Sequence, residues 1–264
     1  MGIEAMSVAA TGMNAQDTRI QVIANNLANA STTGFKTSRA EFQDLVYDDA
    51  RLAGTLNSQI NQVPVGTSLG LGVRTASVDK LFTQGQLQNT GNPLDLAVQG
   101  DGFFEVSLPD GTIAYTRAGN FRLNQAGQLV TLDGYPLQPG INLPQGSRNI
   151  TIGPNGIVSV QVNNQNIATQ VGQIQLVKFL NPAGLQPYGQ NLYTATQAAG
   201  APQIGLPGQN GFGTVMQGFL EGSNTDVVAE LVSLIEAQRT YEAGSKVIQV
   251  ADQMWANANS LVVA

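Results

Sequence analysis

The sequence has no cysteine and no histidine among its 264 residues. Without these residues the chain cannot form disulfides, Cys/His zinc sites or c-type haem attachments, and it has no imidazole to act as a base or a ligand. An enzyme with this composition would depend on carboxylate, Lys, Tyr or Ser/Thr chemistry. The two absences therefore exclude most catalytic and metal-binding classes, and we expect no cofactor.

Charged side chains are also scarce. Asp, Glu, Lys and Arg make up 11% of the chain, whereas an average soluble domain has about 25%. Asn and Gln together supply about 49 residues, so neutral amides carry most of the polarity. The formal net charge is −6, and the lysines (Lys36, Lys80, Lys178 and Lys246) are far apart. Without a basic cluster we expect no nucleic-acid binding.

Long apolar runs are absent as well. No stretch of 18 apolar residues occurs, which predicts no direct membrane insertion. Residues 1–6 lack the basic segment and following apolar run of a secretory signal, so we expect no cleavable leader.

Residues 3 to about 30 are predicted to form one helix, because they contain no proline and their apolar residues alternate in spacings of three and four. Such spacing is typical of a coiled-coil seam. The seam consists of Ile3, Met6, Ala10, Met13, Asp17, Ile20, Ala24 and Leu27. The helix is expected to stop within residues 31–34, where Gly34 can adopt a left-handed conformation.

The last forty residues predict a second, longer helix. Ser223 with Asp226 has the spacing of a capping box. Apolar residues then recur every seven positions, namely Val227, Leu234, Tyr241, Ile248, Trp255 and Val262. This period favours a coiled coil. The predicted companions four residues later are mostly polar: Leu231, Gln238, Ser245, Asp252 and Asn259.

Residues 95–220 predict an all-β domain, since short apolar runs alternate with glycine-containing turns about ten residues apart. The candidate strands are 102–108, 113–116, 120–123, 128–132, 157–162 and 173–180. Residues 36–94 read as a linker with an extended loop or hairpin at 53–71. The predicted fold is therefore a multi-segment α+β chain, with residues 1–35 and 223–264 forming a coiled-coil-like helical core domain.

Motifs that carry chemistry are weak. Gly70-Leu71-Gly72 and Gly211-Phe212-Gly213 do not continue into a nucleotide-binding fingerprint. The acidic group Asp44, Asp48 and Asp49 lacks the ligand spacing of a calcium loop. Carboxylates that could perform acid/base work are Asp95, Asp101, Glu105 and Asp110. They flank a strand and a turn, where Asp is common for backbone hydrogen bonding alone.

Three asparagines lie within five residues at the end of the first helix: Asn25, Asn26 and Asn29. Asparagine is a weak helix former because its amide competes for backbone hydrogen bonds. One interpretation is a fraying helix end. The other is that these amides reach partners on a neighbouring chain, where uncharged groups are buried at lower cost than ions.

Three segments, in order, resemble the signatures of the bacterial flagellar rod and hook proteins. Residues 24–36 resemble the N-terminal signature, residues 95–117 the central β domain, and residues 223–246 the C-terminal signature. Residues 39–47 and the loop up to Val73 look like the distal rod members of this family. A proximal rod protein of the same three-part plan is the alternative, and residues 1–6 depart from the usual family pattern.

The resemblance implies a structural protein, not an enzyme, that stacks helically into a rigid shaft across the periplasm. It implies as partners further copies of the chain, proximal rod proteins, the hook protein, the surrounding P- and L-ring proteins and the flagellar export apparatus. The helices would mediate self-assembly through Ile3, Met6, Met13, Ile20, Asn25, Asn26, Leu27, Asn29, Val227, Leu231, Leu234, Tyr241, Ile248 and Trp255. A secreted carbohydrate-binding module and a glycan hydrolase are the alternatives from other classes.

Overall fold

The computed structural model describes residues 2–51, 65–162 and 168–262. It has two helices, one near each end, and a β-rich region between them. The helices are α1 (Gly2–Ala28) and α2 (Val227–Val262), as the spacing of apolar residues predicted. Of the loop or hairpin predicted at 53–71, residues 53–64 lie outside the described residues. None of the described helices has the length and apolar character to cross a membrane.

The cap of α2 is Asp226 and not the predicted box that starts at Ser223. The Asp226 Oδ1 accepts hydrogen bonds from the backbone N–H groups of Val228 at 3.0 Å and Ala229 at 3.2 Å. Ser223 instead donates its hydroxyl to Thr225 Oγ1 at 2.8 Å. The carboxylate satisfies two amides that a helix start leaves unpaired, and its charge also complements the helix dipole.

The central region consists of short strands. In chain order, those within the described residues are β1 (Ser38–Asp44), β2 (Tyr47–Arg51), β3 (Thr67–Gly70), β4 (Val73–Lys80), β5 (Leu87–Asn89), β6 (Leu96–Gln99), β7 (Phe104–Ser107), β8 (Ile113–Thr116), β9 (Arg122–Leu123), β10 (Leu129–Val130), β11 (Leu137–Gln138), β12 (Ser147–Ile152), β13 (Ile157–Val162), β14 (Thr169–Gln173), β15 (Leu176–Lys178), β16 (Gln186–Gly189), β17 (Leu192–Thr194), β18 (Gln203–Gly205), β19 (Thr214–Gln217) and β20 (Phe219–Glu221).

The chain divides into two compact units. The first comprises residues 1–27, 38–79 and 226–264, and the second residues 28–37 and 80–225. In the first unit β1 pairs with β4 and β2 pairs antiparallel with β3. Both units are discontinuous in sequence, since residues 28–37, which begin with the last residue of α1, belong with the β-rich unit.

The second unit is built from antiparallel sheets. Its largest sheet has the order β11-β7-β8-β17-β16, and a three-stranded sheet has the order β12-β13-β14. The remaining strands form pairs: β9 with β10, β15 with β18, β6 with β19 and β5 with β20. Among the predicted strands, 113–116 and 157–162 match β8 and β13 in full.

The second unit contains two hydrophobic clusters. Two adjacent phenylalanines, one just before β7 and one at its start, belong to different clusters. Phe104 belongs to the larger cluster, where its ring lies 5.2 Å from that of Phe121 in an edge-to-face arrangement. Phe103 belongs to the smaller cluster with Phe179 and Tyr193. Because successive side chains in extended chain point to opposite sides, this Phe-Phe pair contributes one ring to each cluster.

Gly34 fixes the path of the chain where it enters the second unit. Its φ is 70°, in the left-handed region, and its N–H donates to the backbone oxygen of Glu221 at 2.7 Å. A Cβ at this position would lie 2.6 Å from the backbone nitrogen of Ala118. Both the φ angle and the close approach require glycine here.

Candidate functional site

The two long helices run antiparallel in the first unit. Asn26 on α1 donates its side-chain amide to Glu230 Oε1 on α2 at 3.0 Å, and Arg19 pairs with Glu236 at 3.3 Å. Farther along, Gly244 lies so close to Met13 that an added Cβ would be 2.9 Å from Met13 Cγ. Contact positions rise along α2 as they fall along α1, which defines the direction of pairing.

The heptad residues of α2 are only partly buried by this pairing. Leu234 and Ile248 are half-buried, while the side chains of Tyr241 and Trp255 are each 41% exposed. Of the predicted companions four residues later, Leu231, Gln238 and Asp252 are exposed and Ser245 is half-buried, so their role between subunits stays a prediction. The row that faces inward lies three residues after each heptad position and consists of Glu230, Ala237, Gly244 and Ala251.

The small size of the residues in this inward row explains why sequence reasoning missed the row. Ala237 is fully buried and Ala251 is buried at 9% exposure. Because Ala and Gly have little or no side chain, they let α1 approach α2 closely, but they are not conspicuous as a hydrophobic stripe. The recurrence of small residues every seven positions was the signal that could have found it.

On α1 the most buried side chains are Ala15, Ile23 and Asn26. Of these three, only Asn26 was among the predicted positions. The predicted Met6, Met13, Ile20 and Leu27 are half-buried. Asp17 and Ala24, which also belonged to the predicted seam, are exposed. The side chain of Ile3 lies outside the part of the structure that is described. Of the predicted positions on α1, Met13 lies against Gly244 of α2 and Asn26 donates to Glu230 of α2.

The three asparagines at the end of α1 have different surroundings. Asn26 is buried, Asn29 is half-buried and Asn25 is exposed. Asn26 pairs with the backbone of Ser38 in both directions, donating to its oxygen and accepting from its N–H, each at 2.8 Å. With its bond to Glu230, this one amide connects α1, β1 and α2. It is a structural link within the chain and is not a fraying helix end.

A groove of about 640 Å³ lies in the first unit between the two helices and the β2–β3 hairpin. We call it the small-residue groove, because Ala5, Ala9, Gly12, Ala243 and Gly244 lie along it. Its other lining residues are Glu4, Val8, Met13, Gln16, Asp48, Leu69, Gly70, Leu71, Thr240 and Val247.

Much of the apolar surface of α2 faces away from α1. The exposed apolar side chains on this helix include Val227, Val228, Leu231, Val232, Ile235, Tyr241, Val247, Val250, Met254 and Trp255. This many exposed large apolar side chains on one helix is uncommon in monomeric soluble proteins and indicates an interaction site.

In the second unit, a buried ion cluster surrounds Glu221. Lys36 Nζ lies 2.6 Å from Glu221 Oε1, and Arg117 approaches Glu221 Oε2 at 3.3 Å. Glu221 also accepts from the N–H of Gly85 at 2.9 Å. The side chains of Lys36 and Glu221 have no exposed surface. The cluster thus connects the segment that follows α1 to the segment that precedes α2.

Burial determines the protonation properties of this cluster. Desolvation lowers the pKa of Lys36, and the favourable charge of Glu221 offsets only part of that effect. Desolvation likewise lowers the pKa of Arg117. The pKa of nearby Tyr193 is raised to about 12 by burial and by the negative charge of Glu221. The cluster holds two cations and one anion with little solvent, an arrangement in which each missing partner is costly.

The carboxylates considered for acid/base work have mainly structural contacts. Asp95 accepts from Asn92 and pairs with Arg122, and Asp101 pairs with Lys178. Asp110 accepts from the N–H and the hydroxyl of Thr112, which lowers its pKa. Glu105, whose pKa is raised by burial, lines a small cavity of about 180 Å³.

The acidic residues of β2 have a structural contact too, since Asp49 accepts the hydroxyl of Ser68 on β3. Across residues 2–51, 65–162 and 168–262, no group of three or more Asp or Glu side chains could hold a metal ion.

Models of three protein families match the chain. Residues 6–36 match "Flagella basal body rod protein", residues 97–160 match "Flagellar hook protein FlgE/F/G D1 domain", and residues 216–261 match "Flagellar basal body rod FlgEFG protein C-terminal". The first and last matches cover parts of α1 and α2. The middle match covers much of the β-rich unit.

Whole proteins similar to this chain include flagellar basal-body rod proteins named FlgG. The chain is 50% identical over 252 residues to the flagellar basal-body rod protein FlgG of Buchnera aphidicola, covering 96% of this chain and 97% of the relative. It is 49% identical over 254 residues to FlgG of Agrobacterium fabrum, with the same coverage. It is 44% identical over 261 residues to FlgG of Borreliella burgdorferi, covering 98% of each.

Proposed function

The chain belongs to the family of the flagellar basal-body rod protein FlgG, and on that premise we propose how it forms the distal rod. It is a structural subunit of the flagellar basal-body rod. Copies pack helically against one another through α1 and α2 around a central channel. The polymer is a rigid hollow shaft that transmits motor torque to the hook.

The observation that carries this proposal is the exposed apolar surface of α2. Pairing with α1 buries the small residues Ala237 and Ala251 and leaves most of the large apolar side chains exposed. Burial of apolar surface contributes about 25 cal/mol per Å², so packing these side chains against other copies would favour assembly. The seam predicted on both helices can act between subunits, and we propose a coiled-coil-like core formed by several copies.

Low charge suits the same role. A subunit that is surrounded by copies of itself removes much of its surface from water. In such buried contacts unpaired ions are costly, whereas neutral amides can still form hydrogen bonds. The 11% content of charged residues keeps that cost low.

Polar contacts inside each unit suit a subunit that transmits torque. The cluster of Lys36, Glu221 and Arg117 ties together the two chain segments that lead to α1 and α2. Asn26 similarly joins α1, β1 and α2. Each unit is thus stiffened by buried charged or hydrogen-bonded contacts of its own, which suits a subunit of a rigid shaft.

The partners we propose follow from the position of a distal rod. They are further copies of this chain, the proximal rod proteins on one side, the hook protein on the other, the P- and L-ring proteins around the shaft, and the export apparatus that delivers the subunits. The domains we propose are the helical core (1–35 and 223–264), the linker (36–94) and the all-β domain (95–220).

Electron microscopy of purified basal bodies tests the proposal. Basal bodies from cells that lack this chain are expected to end before the distal rod, and the wild-type chain is expected to restore it. Tyr241→Asp should prevent assembly and motility, because it places a charge in the exposed apolar surface. Asn14→Asp, which adds the same charge at an exposed position of α1 outside the predicted seam and the groove, should assemble normally. Complete rods in cells that lack the chain would overturn the proposal.

A further inference from the structure

We propose that a row of apolar side chains on α2 of one copy docks into the small-residue groove of a second copy. The row, which we call the α2 stripe, consists of Val228, Leu231, Val232 and Ile235. This inference rests on the proposed function and names the two surfaces by which neighbouring subunits meet.

The α2 stripe is a single exposed face. Its members follow the spacing i, i+3, i+4, i+7, which places four side chains on one side of a helix. They are between 43% and 71% exposed. Asp226 caps the helix immediately before the stripe, so this face lies in a well-formed first turn. Three β-branched residues and a leucine at this spacing are suited to insert into an apolar groove, as in helix-in-groove contacts.

The small-residue groove is the complementary half. Alanine and glycine from both helices leave holes along it, and Leu69 and Leu71 add apolar wall from the β-hairpin. Branched side chains that project from a helix at alternating spacings of three and four insert into such holes. A volume of about 640 Å³ has room for several aliphatic side chains.

The stripe cannot enter the groove of its own chain. The stripe spans 228–235, and the part of the groove formed by α2 spans 240–247 of the same continuous helix. The centres of the two are about twelve residues apart, or about 18 Å along the axis at 1.5 Å per residue. The helix would have to fold back on itself to bring them together, so the occupant must come from another copy.

The contact has the symmetry that a rod requires. Stripe and groove are different surfaces of one subunit, so each copy offers one to a neighbour and keeps the other for the next. Head-to-tail contacts of this kind extend without closing when successive copies are related by a screw rotation. Because all copies in such a polymer point the same way, the neighbours should be displaced by about 18 Å along the helix direction.

Charge favours the same pairing. Beyond Ile235 the stripe's face continues with Arg239 and Lys246, with Glu242 between them, which gives a net positive charge. The described residues that line the groove include the carboxylates of Glu4 and Asp48 and no basic side chain. Opposite charges at the ends of an apolar contact fix its direction and register.

Engineered disulfides test the docking in the assembled protein. Because the chain has no cysteine, a pair of introduced cysteines is free of background. We expect Val232→Cys with Ala243→Cys to give a ladder of cross-linked multimers when purified basal bodies are oxidised and run without reductant. The linked subunits should be offset by about 18 Å in electron cryomicroscopy maps.

The matched control is Ser233→Cys with Ala243→Cys. Ser233 follows Val232 directly but lies about 100° around the helix from it, away from the stripe, so it should give no ladder. Rods that assemble with Val232→Cys and Ala243→Cys but keep free thiols would overturn the docking and leave the proposed function standing. If that pair does not assemble, Val232→Cys with Thr240→Cys, which lines the same groove, gives the same two outcomes. Complete rods purified from cells that make no copy of this chain would overturn the proposed function itself.

Discussion

Lys36 and Glu221 form an ion pair of 2.6 Å in which neither side chain has any exposed surface. Glu221 is also the only carboxylate that Arg117 contacts among the described ion pairs, at 3.3 Å. One anion therefore serves two buried cations. Because of this surplus of positive charge, replacing each of the three residues should change the free energy of unfolding by a different amount.

Glu221→Gln is expected to destabilise the second unit by about 3–5 kcal/mol, because it leaves Lys36 and Arg117 buried without a counter-charge. Lys36→Met should cost less, since the remaining Glu221 and Arg117 still form a balanced pair. Urea unfolding followed by circular dichroism measures both. Lys178→Met removes a partly exposed pair with Asp101 and should change the free energy of unfolding by less than about 1 kcal/mol. A larger loss for Lys36→Met than for Glu221→Gln would contradict this account.

Tyr193 should make the second unit less stable at alkaline pH. Its pKa in the fold is about 12, raised mainly by burial and also by the charge of Glu221, while the ordinary value is 10.0. A raised pKa stabilises the fold fully below pH 10, and that contribution is lost as the pH rises through 12. The loss amounts to about 3 kcal/mol. Unfolding measured across this pH range should show it.

Tyr193→Phe should reduce that alkaline decline, because it removes one phenol with a raised pKa, while Tyr115, whose pKa is also raised by burial, keeps its own contribution. Its stability near neutral pH should stay close to that of the wild type, since no hydrogen bond of the Tyr193 hydroxyl is found among the described residues. Tyr188→Phe, at an exposed tyrosine, serves as the control and should keep the full decline. Identical alkaline profiles for wild type and Tyr193→Phe would show that another group is responsible.

Sequence reasoning located both helices because their signal is long and periodic. It also located β8 and β13, whose apolar runs end in turns. It did not identify the inward face of α2, because Ala237 and Gly244 contribute through their small size and not through hydrophobicity. It counted hydrophobic spacing four residues forward, whereas the structure places the inner row three residues forward.

The buried ion cluster could not have been predicted from local pattern. Lys36, Arg117 and Glu221 are separated by 81 and 104 residues along the chain, and each stands in a different segment. Only the folded β-rich unit brings them together. The asparagine group was noticed, but the sequence did not show that Asn26 contacts Ser38 and Glu230 within its own chain.

Asn26→Asp should destabilise the first unit by about 2–4 kcal/mol. A carboxylate at this position can no longer donate to the Ser38 oxygen, and it lies against the negative charge of Glu230. Amide hydrogen exchange in α1 measures the effect, and partial recovery is expected as the pH falls through the carboxyl range. Asn14→Asp makes the same change at an exposed position of α1 and should cost less than about 0.5 kcal/mol. Equal effects of the two variants would argue against the link.

Gly34→Ala should cost more than Gly111→Ala, although both glycines have a positive φ, 70° and 82°. At Gly111 nothing lies within 4 Å of an added Cβ, so only backbone strain of about 1 kcal/mol is expected. At Gly34 the Cβ would lie 2.6 Å from the backbone of Ala118, which must move as well. We expect a total of more than about 2 kcal/mol, measured by urea unfolding. Similar losses at both sites would mean that the clash at Ala118 is relieved without cost.

Two alanines on α2 should separate folding from assembly. Ala237 is fully buried against α1, so Ala237→Leu should overpack this contact and lower the stability of the first unit by about 1–3 kcal/mol. Ala243 is exposed and lines the small-residue groove, and leucine is a good helix former, so Ala243→Leu should leave the monomer's stability almost unchanged. The new side chain would occupy the space we assign to the α2 stripe of a neighbour, and rod assembly should fall. Amide exchange on the monomer and electron microscopy of basal bodies measure the two effects separately. If Ala243→Leu assembled as well as the wild type while Ala237→Leu alone failed, the groove would serve the fold of one subunit and not the contact between subunits.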